Sequence, residues 1–399
     1  MGVGTCPGVK SPCSGKVLWG YQGWFGPAPS ASPGYGYAHW SRGGELNATN
    51  AVFDAFPDFS EYPPGAMVPT QGLAYASGAP VSVYSSTAGS GGAVATHFKW
   101  MADYGVDGVF LQRFATEVQG GSGAGYDFRN AVTKEVAEAA AANGRVWAVE
   151  YDVTGTGNNT ARLENTLSND FAQNIRPYVG KRGYLHHDGR PVIAVFGFGF
   201  VGDTRYPSDV QASVNALRNL QVAYGAYLVC GVPYFWRTGQ RDSRPDFQVV
   251  YDVCDALSPW AVGRFNSEAG FKSLFTSEVQ PDRTATAASG AAYAPVVWPG
   301  FSWANLQQDP ADFNSIPRLG GAFLTAQTDA MVESLHPLPD FIFGAMFDEV
   351  NEGTAIYKIV ANKTDLPTSG RWLWANADAG AGVPWIPGDH YLHLAGALQ

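Results

Sequence analysis

The sequence predicts a single (β/α)8 barrel with long βα loops. Eight short apolar runs alternate along the chain with longer stretches of helical pattern. Most of these runs are rich in β-branched or aromatic residues and lack period-2 alternation, which is typical of strands buried on both faces. Strand and helix repeated in this order indicate a barrel. A doubly wound sheet is the alternative, but the sequence has neither the GxGxxG nor the P-loop pattern that would mark one.

The elements follow one another in a regular order. The predicted strands are residues 17–20, 108–112, 146–150, 192–196, 227–230, 256–258, 295–298 and 341–346. The predicted helices are residues 96–104, 128–143, 163–179, 208–224 and 317–335. The Ala-rich second helix ends before Gly144, a helix-capping residue. The segment Asp188-Gly-Arg-Pro191 predicts a tight turn that leads into the fourth strand.

Residues 1–399 are predicted to form this one catalytic domain. Gly, Pro and Ser dominate residues 26–36 and 63–92, so residues 26–95 are predicted to be an extended loop region over the barrel mouth. Residues 364–399 show little helical pattern and carry several Trp residues. We interpret them as a C-terminal tail packed on the barrel.

Charge and hydropathy exclude several classes of partner. The net charge is −10, and the basic residues are scattered rather than clustered. This balance argues against binding to nucleic acid or to anionic membranes. No apolar stretch is long enough to span a bilayer. The expected partner is a carbohydrate, bound by a monomer. The 14% content of aromatic residues gives weak support to this expectation, because rings stack on sugar faces.

The cysteines and glycosylation motifs favour secretion. Four cysteines form two local pairs, Cys6 with Cys13 and Cys230 with Cys254, which permits two disulfides. Three Asn-x-Thr sequons begin at Asn47, Asn158 and Asn362. We therefore expect a secreted glycoprotein. The alternative is a cytosolic enzyme with four buried thiols.

The working residues of such barrels lie just after the strands, at the carboxyl-terminal face. Three acids follow the eighth predicted strand within five residues: Asp348, Glu349 and Glu352. If a helix begins there, Glu349 and Glu352 share one face with Cβ atoms about 5–6 Å apart, near the carboxyl separation of about 5–5.5 Å in retaining glycosidases. The alternative is that all three acids cap a helix N-terminus.

The remaining candidates follow the other strands or lie in the loop region. We expect Glu349 and Glu352 to be catalytic. Glu150 follows the third strand, and its alternative role is a salt bridge with Arg113. The predicted substrate-binding residues are Glu150, Asp152, Tyr21, Trp24, His39, Trp40, Arg113, Tyr234, Trp236 and Trp298. No HExxH motif occurs, so no metal site is expected, and no cofactor is needed for the expected chemistry. No GxSxG motif occurs either, which disfavours a serine hydrolase of that type.

The segment Phe347-Asp-Glu-Val-Asn-Glu-Gly-Thr354 resembles the Trp-Asn-Glu-Trp-x-Glu-Gly-Thr motif of glycoside hydrolase family 99, the endo-α-mannosidases. The chain is similar more broadly to the fungal α-1,3-glucanases of family 71. It resembles most a group often labelled "xylosidase/arabinosidase". The segments that carry this resemblance over nearly the whole chain are 20–25, 39–40, 106–114, 188–191 and 348–354.

The resemblance implies a barrel that cleaves α-glycosides with retention through a 1,2-anhydro sugar. By motif position, Glu349 would be the base and Glu352 the acid/base, while Glu150 and Asp152 match the acid that holds the reacting sugar. This chain departs from the family 99 motif at Phe347, Asp348 and Val350. The first expectation is an α-mannosidase. The alternatives are an α-1,3-glucanase-like hydrolase and a lectin-like barrel that binds glycans without cutting them.

Overall fold

The computed structural model describes residues 15–26, 37–89, 91–157, 162–202, 204–335, 339–378 and 383–398. Strands and helices are numbered here in chain order. The strands are β1 Lys16–Tyr21, β2 Met67–Ala74, β3 Pro80–Tyr84, β4 Gly108–Phe114, β5 Val146–Asp152, β6 His186–His187, β7 Arg190–Phe196, β8 Tyr227–Val232, β9 Ala256–Pro259, β10 Ala292–Tyr293, β11 Val296–Val297 and β12 Phe341–Gly344.

One parallel sheet closes into the barrel. Its strands lie side by side in the order β10-β9-β8-β7-β5-β4-β1-β12-β11. The short strands β10 and β11 are two pieces of one barrel strand: β10 pairs with β9 and β11 pairs with β12. The main-chain bonds from Ala294 N to Leu257 O (2.9 Å) and from Phe343 N to Pro295 O (2.8 Å) continue both edges across the break. The ring therefore has eight positions, which confirms the predicted (β/α)8 barrel.

The predicted strands match the observed ones, with one difference at the seventh position. Residues 295–298 were expected to form this strand, but the structure divides it into β10 and β11 around Ala294 and Pro295. Proline has no N–H to donate to a ladder, so the strand is interrupted there. The predicted turn before β7 is present as a hairpin with β6, in which Asp188 (φ 48°) and Gly189 (φ 78°) take left-handed conformations.

Aromatic side chains fill the barrel interior. The ring centroids of Phe110 and Phe343 lie 5.6 Å apart although β1 separates their strands. Phe341 of β12 likewise contacts Tyr227 of β8, at 6.1 Å. Such contacts join strands that are not neighbours, so these side chains point inward. Gly20 lies on the same face, where an added Cβ would come within 2.2 Å of Met346 Sδ, so a larger residue there would displace the Met346 side chain.

The helices surround the barrel. They are α1 Ala93–Tyr104, α2 Ala115–Val118, α3 Ala124–Asn143, α4 Leu163–Asp170, α5 Arg176–Val179, α6 Val210–Tyr224, α7 Gln248–Tyr251, α8 Glu268–Leu274, α9 Gln280–Ser289, α10 Ala304–Gln307, α11 Ala322–Ser334 and α12 His390–Gly396. All five predicted helices are present. The one predicted over 163–179 is divided by a π-helical turn, Phe171–Ile175, and α3 ends at Gly144 in a left-handed conformation (φ 64°) as expected.

The loop region after β1 is more ordered than its composition predicted. It contains the antiparallel hairpin β2–β3 and a buried aromatic cluster centred on Trp40, whose ring contacts Phe25, Phe53 and Tyr84. The tail packs through α12, which carries the buried Tyr391. Cys230 and Cys254 form the expected disulfide, whereas Cys6, Cys13 and the Asn158 sequon lie outside the described residues. Within the described residues, no helix combines the length and hydropathy needed to cross a membrane.

Candidate active site

The acids Glu349 and Glu352 lie on one tight turn after β12. The main-chain N–H groups of Thr354 (3.1 Å) and Ala355 (2.8 Å) donate to Glu349 O and close this turn. Gly353 adopts φ 67°, a conformation that favours glycine. The expected helix does not begin there, because residues 350–353 form a turn and extended chain follows. The alternative role as a helix N-terminal cap therefore does not apply to these acids.

The two carboxyl groups are close enough to influence each other. Glu349 is 3% exposed, and its Oε1 accepts hydrogen bonds from Asn351 N (2.7 Å) and Glu352 N (3.3 Å). Burial, followed by the charges of Glu352 and Asp348, raises the Glu349 pKa well above its usual value. Burial raises the Glu352 pKa to about 7. The pair therefore retains a proton near neutral pH, so one carboxyl can donate a proton while the other accepts one.

Asp348 anchors the acid turn to the end of β1. It is fully buried, and its two carboxylate oxygens accept hydrogen bonds from Gln22 N (2.7 Å) and Gly23 N (2.8 Å). Burial raises its pKa to about 7 although these bonds and the Arg129 charge oppose the shift. Both carboxylate oxygens are occupied by main-chain donors, so Asp348 positions the turn rather than presenting a free group.

Glu150 and Asp152 of β5 face the barrel interior. Glu150 pairs in register with Gln112, and Gln112 Nε2 donates to Glu150 Oε2 at 3.4 Å. Burial and then the Asp152 charge raise the Glu150 pKa to about 8. Burial also raises the Asp152 pKa. The alternative salt bridge between Glu150 and Arg113 does not form, because Arg113 points outward and pairs with Asp170.

An aromatic stack connects the acid turn to β4 and α3. The His39 and Trp24 rings lie 3.6 Å apart at 2°, and the Trp24 and Phe114 rings lie 5.7 Å apart at 13°. The Arg129 guanidinium lies 4.9 Å from the Phe114 ring centroid. Asn351 Nδ2 donates to His39 O at 2.9 Å, so the stack adjoins the acid turn. Burial, and then the Arg129 charge, lowers the His39 pKa to about 3, which leaves this ring neutral at physiological pH.

The structure does not bring the other predicted residues into this mouth. Arg113 lies between the barrel and helices α3 and α4, where it also donates to Thr133 Oγ1 (2.7 Å). The Tyr21 hydroxyl bonds His97 Nδ1 of α1 at 2.8 Å. The remaining four are buried in packing contacts outside the barrel interior: Trp40, Tyr234, Trp236 and Trp298.

Several mouth residues were not among the predicted site residues. Phe196 lies next to Asp152 in the sheet register, and its ring contacts that of Trp260 at 5.1 Å. Both rings are half-buried. Glu150 and Asp152 lie on the same face of β5, and Phe196 pairs with Asp152. The alternation of side chains along strands would therefore have identified Phe196 as inward-facing. Three buried polar atoms near the acid turn have no hydrogen-bond partner within the described residues: Asn351 Oδ1, Gln22 Oε1 and the indole Nε1 of Trp24, a predicted site residue.

The site is built from carboxylates, amides and rings. Among the described residues, no group of three or more His, Cys, Asp and Glu side chains is placed to hold a metal ion. The arrangement supplies proton transfer from acids and stacking from rings, which are the functions that cleavage of a glycosidic bond uses.

The fold matches solved structures. The family 99 endo-α-mannosidase from Bacteroides thetaiotaomicron is 14% identical, with 96% of each chain covered and a TM-score of 0.61. The same enzyme in complex with bis-tris-propane gives a TM-score of 0.57 at the same identity and coverage. A "glycoside hydrolase-like protein" is 15% identical over 87% of this chain and 94% of its own, with a TM-score of 0.53. No known family profile matches the sequence, and neither does any curated protein. The likeness confirms the fold that the motif resemblance implied.

Proposed function

We propose that this chain is a retaining glycoside hydrolase that acts on α-linked sugars, with α-mannosides as the first substrates to test. The observation that carries this proposal is the Glu349–Glu352 pair on one turn at the mouth of the barrel, with both pKa values raised. The fold is also that of a family 99 endo-α-mannosidase. A binding protein has no need of a proton-sharing carboxyl pair.

The proposed reaction passes through a 1,2-anhydro sugar. Glu349 removes the proton from the 2-hydroxyl, whose oxygen attacks the anomeric carbon. The bond from that carbon to the leaving oxygen breaks, and Glu352 gives its proton to the leaving oxygen. In the second step Glu352 takes a proton from water. The water oxygen attacks the anomeric carbon, and O2 departs with the proton that Glu349 held. Two inversions at one carbon give net retention.

The surroundings support these roles. The N–H groups of Asn351 and Glu352 fix one oxygen of Glu349 and leave the other for the substrate. Phe196 and Trp260 offer half-buried rings to a sugar, and Glu150 offers a buried carboxyl to its hydroxyls. We also propose secretion, because the disulfide Cys230–Cys254 is typical of an oxidising compartment.

The test compares wild type with Glu352→Gln and Glu349→Gln on aryl α-mannosides, aryl α-glucosides, α-1,3-glucan and yeast mannans. Loss of the proton-transfer group should reduce kcat by about 10²–10⁴-fold for each variant, with unchanged unfolding temperatures. Glu138→Gln, an identical change on the exposed face of α3, is the matched control and should retain full activity.

Each outcome has a distinct meaning. Release of glucose from α-1,3-glucan alone would support the α-1,3-glucanase alternative. Binding of glycans without any released sugar would support the lectin-like alternative. Normal turnover by Glu352→Gln would refute its role as acid/base, and normal turnover by Glu349→Gln would refute the paired mechanism.

A further inference from the structure

A second cavity borders the acid turn. It has a volume of about 270 Å³ and lies between the loop region after β1 and the segment around α10. Its lining includes Asp54, Asn305, Phe313 and Arg371. The mechanism proposed above uses none of these residues.

Hydrogen bonds from the wall of this cavity hold the main chain of the acid turn. Asp54 N donates to the carbonyl of residue 350 at 2.9 Å. Asn305 Nδ2 donates to the carbonyl of residue 351 at 2.9 Å. Ser302 N donates to the carbonyl of residue 352 at 2.7 Å, and Ser302 Oγ bonds the Asp54 carboxylate. Asp54 and Asn305 therefore line the cavity and also bond the segment between Glu349 and Gly353.

The lining groups suit a sugar ring. Asp54 is 5% exposed and brings a carboxylate to the wall, where burial raises its pKa to about 6. Asn305 brings an amide. The Arg371 guanidinium lies 5.4 Å from the Phe313 ring centroid, and within the described residues it forms no ion pair. Sugar hydroxyls both donate and accept hydrogen bonds, while the ring has an apolar face. Convergent polar groups with an aromatic surface are typical of such sites.

We propose that this cavity is a second sugar subsite, which binds one neutral monosaccharide unit of the substrate away from the bond that is cleaved. The inference rests on the proposed function, because it treats the cavity and the acid pair as parts of one substrate groove. A neutral sugar matches this lining because the lining carries charges of both signs, the acid Asp54 and the bases Arg42 and Arg371. Since the Asn305 amide and the Asp54 main chain bond the acid turn, an occupied subsite also steadies Glu349 and Glu352.

The experiment measures glycan binding in the inactive Glu352→Gln background, by array and then by calorimetry. Glu352→Gln alone is compared with Glu352→Gln/Arg371→Ala. The matched control is Glu352→Gln/Arg244→Ala, because Arg244 also lies over a phenylalanine ring, Phe247 at 4.5 Å, and is not part of this cavity. Loss of Arg371 should weaken binding about tenfold through lost charge-assisted hydrogen bonds, and more for longer glycans than for the shortest one bound. Arg244→Ala should have no effect.

Several results would overturn the subsite: no glycan bound by Glu352→Gln, the same affinity with and without Arg371, or an equal loss for all glycan lengths. Thermal unfolding identifies a misfolded variant, in which case Phe313→Ala replaces Arg371→Ala. The two proposals fail separately. If wild type hydrolyses nothing that it binds while loss of Arg371 still weakens binding of the longer glycans, the proposed reaction fails and the subsite stands. If wild type hydrolyses glycans and Arg371→Ala behaves like Arg244→Ala, the subsite fails and the reaction stands.

Discussion

Strands β4 and β5 each carry a buried ionisable side chain near their carboxyl ends, and the two side chains point to opposite sides of the sheet. Arg113 is 0% exposed and faces the helices, where Asp170, Thr133 and Asn130 accept its hydrogen bonds. Glu150 is 3% exposed and faces the barrel interior, where only Gln112 donates to it among the described contacts. Glu150 pairs in register with Gln112, the residue before Arg113. Because successive side chains along a strand point to opposite faces, Glu150 and Arg113 lie on opposite faces of the sheet.

The difference shows that Arg113 has a structural role and that Glu150 is available for function. Removing a charge from water is costly unless a partner compensates. Arg113 has a full set of acceptors, so its charge is compensated by the fold. Within the described residues Glu150 has no cationic partner, and burial raises its pKa to about 8. An uncompensated acid at the barrel mouth destabilises the fold, and such perturbed groups cluster at functional sites.

The largest expected effect on stability comes from replacing Arg113, whose buried charge is compensated by Asp170. Arg113→Met leaves the Asp170 carboxyl buried without its cation, which should destabilise the protein by about 3–5 kcal/mol. Denaturant unfolding measures this loss. The double variant Arg113→Met/Asp170→Leu removes both charges and should recover much of the stability. A selective loss of glycan affinity at normal stability would instead show that Arg113 contacts the substrate.

A smaller effect on the free energy of unfolding is expected from Glu150, and this effect depends on pH. The folded-state pKa of Glu150 lies above its unfolded value of about 4.3, so the folded state binds the extra proton. Glu150 therefore contributes favourably to folding stability at acidic pH, and this contribution is lost as the pH rises through about 8. Between pH 5 and 8 this loss should be about 3 kcal/mol.

The measurement is urea unfolding of wild type and Glu150→Gln across pH 5 to 8. The variant keeps the shape of the side chain and the contact with Gln112 but cannot ionise. Its stability should fall less steeply with rising pH than that of wild type. If stability fell equally steeply with pH in the two proteins, another group would have to compensate the ionised Glu150 carboxylate in the folded state.

The same comparison explains how far the sequence predicts the molecule. The order of strands and helices, the Cys230–Cys254 disulfide and the position of the acid turn follow from apolar runs, spacing and turn residues. The face on which a side chain lies does not follow from its position after a strand. Glu150 faces inward and Arg113 outward because of register, which depends on pairing between distant strands. The sequence left a helix at Glu349 open, because the closure of the turn by Thr354 and Ala355 has no signal in helical periodicity.

The smallest expected effect comes from two indole N–H groups that differ only in their surroundings. Trp24 and Trp298 both have a buried Nε1 for which the described part of the chain supplies no hydrogen-bond partner. Trp24 is half-buried in the mouth beside His39, whereas Trp298 is sealed between Phe265 and Phe323. Trp24→Phe keeps a ring in the stack and loses one donor, so KM for a glycan should rise about threefold to tenfold, the worth of one hydrogen bond. Trp298→Phe should leave KM unchanged. Equal effects in steady-state kinetics would mean that Trp24 contributes packing and does not donate to the sugar.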